Sequence, residues 1–272
     1  MAARAVAPAW PAGHLGKPGA LVWRFDRRRD AVFLGGIALA ILLVPAIELV
    51  IMWGRVTELA GRDFNLYLDA ARRWLDGGPF YPPSQLTEVF PDDGNRILYP
   101  PTALVLLGPL AAMPRGLAAV LRWLFPITAL GWQLVRMRPR PIAWPFLAMC
   151  VAWPPTLLSF AVWNSVFVFV GFLALATLNY WPAALIGLKP SILPFAFWGA
   201  NHRSWWITVA VLGALSIPVA PLWFDWFRVL GNASQVGGIW HSIDQFPLFF
   251  WPILVWFART RPAPGTIPQS TT

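Results

Sequence analysis

The feature that most constrains this chain is its apolar residues, which come mostly in blocks of roughly 15 to 23 with no alternation and no polar stripe. Only 12% of the residues are charged, where a soluble domain carries about 25%. A run of ~20 apolar residues crosses ~30 Å of hydrocarbon as a helix. Inside lipid, every backbone group must be satisfied within the protein, which leaves helices or a closed barrel. Continuous runs without period-two alternation select helices. The blocks are Ala31–Trp53, Ile97–Met113, Leu117–Val135, Ile142–Phe160, Val162–Tyr180, Pro182–Ala200, Trp205–Phe224 and Phe246–Ala258. The expectation is an all-α polytopic membrane protein with about eight transmembrane helices. Residues 1–30 are expected to form a flexible cytoplasmic N-terminus, 31–258 the membrane domain, and 259–272 a cytoplasmic tail.

The net charge of +9 lies in short Arg clusters between the blocks. That pattern sets orientation in a membrane and does not call for a nucleic-acid partner. Arg24 and Arg27-Arg28-Arg29 before the first block predict a cytoplasmic N-terminus. The first block lacks a small-residue cleavage site and is expected to be retained as an anchor. One cysteine, Cys150, allows no intrachain disulfide and no cysteine metal site. No phosphate-binding glycine loop, zinc pattern or nucleophile elbow is present. No cofactor is expected, with a divalent metal left open.

The loop 54–96, between the first two blocks, holds seven of the twelve acids. By alternation it lies outside the cytoplasm. Within it, Phe64, Tyr67, Leu68, Ala71, Trp74 and Leu75 recur at three- and four-residue steps, one face of a helix. Arg62, Asp69, Arg73 and Asp76 fall opposite. Such a helix is expected in the membrane interface, aromatic side down.

Asp63 opens that helix and has two readings: a helix N-cap, or a general base that takes the proton of an incoming hydroxyl. Lys189 stands in mid-block, where a charge is costly and faces a cavity or a partner. It either binds a lipid phosphate or pairs with an acid such as Glu48. Arg136, Arg138 and Arg140 either hold a phosphate headgroup or form a cytoplasmic flank. Strict alternation of eight crossings puts them outside, against the positive-inside expectation. His241, in the last outer loop, either orients substrate and assists proton transfer or is a solvated loop residue.

Asp63-Phe64 followed by Tyr67, Ala70-Ala71, Leu75, Gly77-Gly78 and Tyr81 resembles the first-loop signature of glycosyltransferase family 87. Tyr99-Pro100-Pro101 with its Leu-rich run, and Gly187-Leu188-Lys189-Pro190, are similar to that family's second-span and Lys-Pro motifs. The resemblance covers roughly residues 55–200. It implies a GT-C fold and an inverting transfer of a hexose or pentose from a polyprenyl-phosphate donor to a lipid or glycan acceptor. The reaction would occur on the extracytoplasmic side of the cell membrane. Asp63 then matches the catalytic carboxylate, while Lys189, Arg136, Arg138 and Arg140 are expected at the donor phosphate. Tyr67, Tyr81, Asn164 and His241 are the candidates for orienting substrate. The chain departs from the family where Ala161-Val162-Trp163 precede Asn164 in place of a glycine-glutamine pair. The rival expectation is a non-catalytic lipid-binding or transporter-like protein on a reduced version of the same scaffold.

Overall fold

A computed structural model describes residues 27–51, 53–87, 96–233 and 243–260. The described chain is all-helical; its one β-type contact is an isolated bridge between Pro139 and Arg259. The helices are α1 (Arg27–Ile51), α2 (Trp53–Leu59), α3 (Arg62–Leu75), α4 (Pro83–Thr87), α5 (Leu104–Ala111), α6 (Arg115–Met137) and α7 (Ala143–Ala152). They continue as α8 (Pro154–Ala161), α9 (Val166–Asn179), α10 (Ala183–Ile186), α11 (Leu193–Ala196), α12 (Arg203–Ser216), α13 (Leu222–Ala233) and α14 (Phe246–Phe257).

Two of these are long and apolar enough to cross a membrane, Arg28–Ile51 and Arg115–Met137. The count reaches four if each bent pair is one span: Ala143–Ala152 with Pro154–Ala161, and Arg203–Val219 with Leu222–Ala233. The described residues therefore show two to four candidate spans where the sequence predicts about eight. α9 and α14 are apolar but only about 21 and 18 Å long. The block Pro182–Ala200 is divided into short α and 3₁₀ turns, with Pro190 and Pro194 placed where an unbroken helix would need their amide hydrogens.

α1 shows why lipid is the fitting solvent. Val32, Phe33, Val50 and Ile51 are each more than two-thirds exposed, and apolar exposure on this scale is foreign to a monomeric soluble surface. α9 is the opposite case, with Val166, Val170, Leu173 and Ala176 fully buried at the centre of the largest core. Gly171 lets α6 approach it: a Cβ there would lie 2.9 Å from Phe125 and 3.1 Å from the Pro126 Cα. That contact sets the height of α6 against the start of α9.

Ile97–Met113 does not make the expected crossing. It forms a 3₁₀ turn, Pro101–Ala103, and then α5, together about 16 Å of helix, or half the hydrocarbon thickness. The segment runs along α3. Tyr99 packs on Tyr67 with ring centroids 4.5 Å apart. Arg72 donates from Nε to the Ala111 carbonyl (3.0 Å) and from Nη2 to that of Met113 (2.9 Å). Arg115, at the start of α6, is ion-paired with Asp69 of α3 at 2.5 Å. The Pro114-Arg115-Gly116 turn thus sits at the same end of the molecule as α3. The apolar face of α3 is covered by protein, because Phe64, Leu68, Ala70 and Ala71 are buried in a core shared with Leu104, Ala111 and Val229.

The missing crossing reverses α6 relative to the eight-span expectation. The helix leaves from the α3 end and delivers Arg136 to the other. There Met137, Ala143, Leu178 and Val255 share a small core, and Arg140 donates its amide to the Ala258 carbonyl at 2.8 Å. α1 packs along α7, and both lead towards α3, through α2 and α8 respectively, so the two run parallel. Arg28 and Arg29 therefore lie at the Arg136 end. Arg203 does too, since its neighbour His202 stacks on Tyr180 just beyond α9 (centroids 3.5 Å). Among the described residues Asp30 is the one acid at that end.

Candidate active site

Four segments far apart in sequence meet where α3 begins. Gly61, the α3 N-cap, has φ 77°, a left-handed conformation that glycine adopts without the Cβ penalty. Asp63 follows in the first turn. No side chain caps this helix, so the capping reading of Asp63 is replaced by another arrangement. The Asp63 amide donates to the Val162 carbonyl at 3.1 Å, docking the start of α3 on the turn after α8.

That turn is built by an unusual residue. Trp163 has φ 57°, a region that costs an L-residue about 1–2 kcal/mol. The reversal lets the Asn164 amide reach back to the Ser159 carbonyl at 2.7 Å and turns the Asn164 side chain towards α3. Its Nδ2 donates to Asp63 Oδ2 at 2.7 Å. Its Oδ1 accepts from Lys189 Nζ at 3.1 Å and from the Val166 amide at 2.9 Å. A carboxylate can only accept and an ammonium can only donate, so the chemistry of the two partners fixes which way this amide points. Lys189 is 5% exposed, and its hydrogen-bond partner is Asn164 in place of the Glu48 pairing.

Arg122 completes the cluster from α6. It is 4% exposed and donates from Nη2 to the Asn164 carbonyl at 2.5 Å. Its guanidinium lies over Trp123 (4.6 Å) and Phe64 (5.3 Å). Tyr99 adds a hydroxyl hydrogen-bonded to Ser165 Oγ, and Lys189 Nζ stands 5.9 Å above its ring. One carboxylate and two cations give the cluster a charge of +1. Burial pushes the Asp63 carboxyl above its ordinary pKa, against the Asn164 hydrogen bond and the charges of Lys189, Arg62 and Arg122. Asn164 engages Oδ2, and no hydrogen bond from the described residues engages Oδ1.

Of the residues singled out in the sequence, Asp63, Asn164 and Lys189 meet directly, with Tyr67 one ring away on Tyr99. Tyr81 is fully buried, with its hydroxyl donating to the Tyr99 carbonyl at 2.7 Å; it supports the cluster from behind. Arg136, Arg138 and Arg140 do not belong here. Arg136 lies 14 residues beyond Arg122 on the same helix, about 21 Å along its axis, and the donor-phosphate role expected for all three is incompatible with that distance. His241 lies outside the described residues. Arg122 is the residue sequence reading missed. Its signal was present: a single cation in the middle of the apolar block Leu117–Val135, the same oddity that marked Lys189.

Among the described residues no group of three or more His, Cys, Asp or Glu stands together to hold a metal. The arrangement offers a carboxylate able to take a proton, beside two buried cations able to stabilise an anion. No protein-family model matches the chain, and no curated protein or solved structure does either.

Proposed function

We propose that this chain is a membrane glycosyltransferase using a polyprenyl-phosphate sugar, on a reduced GT-C-like helical scaffold. The observation that carries the reading is the junction at Asn164, whose side chain binds a carboxylate with one end and an ammonium with the other. An inverting transfer needs that pairing. The acceptor oxygen bonds to the anomeric carbon as the bond from that carbon to the phosphate oxygen breaks. The acceptor proton passes to Asp63. The bonding pair leaves on the phosphate, whose negative charge Lys189 and Arg122 stabilise. Arg122 takes the place given in the sequence reading to Arg136, Arg138 and Arg140. The acceptor is a lipid or glycan hydroxyl. This reading puts the site on the extracytoplasmic side of the cell membrane, and the arginines gathered with a single acid among the described residues of the opposite end support it under the positive-inside rule.

Asp63→Asn tests the reading. It keeps the shape of the side chain and removes its basicity. In membranes supplied with radiolabelled polyprenyl-phosphate sugars, the wild type labels an acceptor, and the variant loses roughly 10²–10⁴-fold in rate while remaining inserted. Transfer at the wild-type rate by a folded Asp63→Asn protein would refute the assignment.

A further inference from the structure

We infer that the end of the bundle opposite Asp63 is a binding face for anionic phospholipid headgroups, centred on Arg138, Arg140 and Arg259. The backbone fixes these arginines in place. The turn between α6 and α7 is stitched to the chain after α14: Arg140 donates to the Ala258 carbonyl (2.8 Å), the Thr260 amide donates to that of Met137 (3.1 Å), and Thr260 Oγ1 donates to that of Arg138 (2.8 Å). Pro139 and Arg259 form the bridge between the two segments. Arg138 and Arg140 are exposed at this seam.

Two tryptophans carry the neighbouring cations. The Arg259 guanidinium lies 4.1 Å over the Trp256 ring, and that of Arg136 lies 5.7 Å over the exposed Trp132. Directly below, the outer face of α6 is apolar, with Trp132 56% and Val135 64% exposed. The surface therefore changes from hydrocarbon-facing to tryptophan to guanidinium over about one helical turn, the order in which a leaflet presents acyl chains, interface and phosphate. A phosphodiester matches the planar fork of Arg in geometry and charge. An acidic peptide or a free phosphate would have no use for the apolar belt beneath.

The test uses the purified full chain in micelles doped with phosphatidylglycerol, with phosphatidylcholine, or with inorganic phosphate alone. Saturable binding of phosphatidylglycerol is expected, unaffected by excess inorganic phosphate and absent for phosphatidylcholine. The triple variant R138Q/R140Q/R259Q should bind about a hundredfold more weakly, the loss that three membrane-facing cations represent. The charge-preserving R138K/R140K/R259K should stay within about tenfold of wild type. If the glutamine triple does not fold, Arg136→Gln and Arg140→Gln, both at exposed positions, should each lower binding about fivefold. Equal binding of phosphatidylcholine, displacement by inorganic phosphate, or undiminished binding by the folded glutamine variants would overturn the inference. None of these readouts involves sugar transfer, so its failure is separate from that of the proposed function.

Discussion

Asn164→Ala should be the most destabilising single substitution at the candidate site. The side chain makes three hydrogen bonds, to Asp63 Oδ2, from Lys189 Nζ and from the Val166 amide. Removing it strands a half-buried carboxylate and an ammonium that is 5% exposed. Each charged hydrogen bond contributes about 1.5–3 kcal/mol, and the neutral one about 1 kcal/mol. Some solvent entry into the vacated space reduces the total to about 3–5 kcal/mol, the range for breaking a buried charged pair. At about 2–4 °C per kcal/mol for a chain of this size, the midpoint of unfolding falls by roughly 10 °C. Cys150, the sole cysteine and buried, provides the assay, because a thiol-reactive dye reaches it when the bundle opens. Asn164→Asp is the informative companion. It keeps an acceptor for Lys189 and for the Val166 amide but sets a second carboxylate against Asp63. Two carboxylates in contact share a proton and raise the pKa of the pair. The stability of this variant is therefore highest at low pH and is lost as pH rises through the raised pKa. An Asn164→Ala midpoint within about 2 °C of wild type, or a pH-independent Asn164→Asp, would refute the bridging role.

Two further outcomes follow from the same geometry. Burial raises the Asp63 pKa, so the rate of transfer should fall on acidification at a pH above the usual carboxylate range. Asp63→Glu should shift that limb, and a limb at the ordinary carboxylate pKa would count against Asp63 as the base. Gly61→Ala places a Cβ 3.2 Å from both Asn65 Nδ2 and Trp163 Cε3 at φ 77°. It should cost about 1–3 kcal/mol in the thiol-protection assay, and Gly61→Asn should cost less because asparagine tolerates the left-handed region.

The sequence made the α3 helix legible, since its period placed Phe64, Leu68 and Ala71 on one face and the structure buries that face. What it hid was the partner. A lipid surface and a neighbouring helix ask for the same stripe of apolar residues, so periodicity alone could not tell α5 from a membrane. The same ambiguity inflated the number of crossings. Ile97–Met113 is as apolar as a span but ends after about 16 Å of helix, and composition does not record where Pro100-Pro101 forces an extended approach. Asp63 and Lys189 stood out because charges in apolar surroundings are rare, while Asn164 was singled out as a candidate for orienting substrate and not as the link between them. Asn164 is uncharged, and its place depends on a left-handed Trp163 that no propensity scale favours.

The segregation of charge described for the two ends has an electrical meaning. The far end gathers Arg28, Arg29, Arg136, Arg138, Arg140, Arg203 and Arg259 against Asp30 alone among the described residues. Each elementary charge carried across a potential of 100 mV involves about 2.3 kcal/mol. With that end on the negative side of an energised membrane, turning the molecule over would carry net positive charge against the field, because Arg62, Arg72, Arg73 and Arg115 of the α3 end are largely offset there by Asp63, Asp69 and Asp76. Orientation is then held by the membrane voltage as well as by contacts between helices, and chains inserted into a de-energised membrane lack that part of the bias.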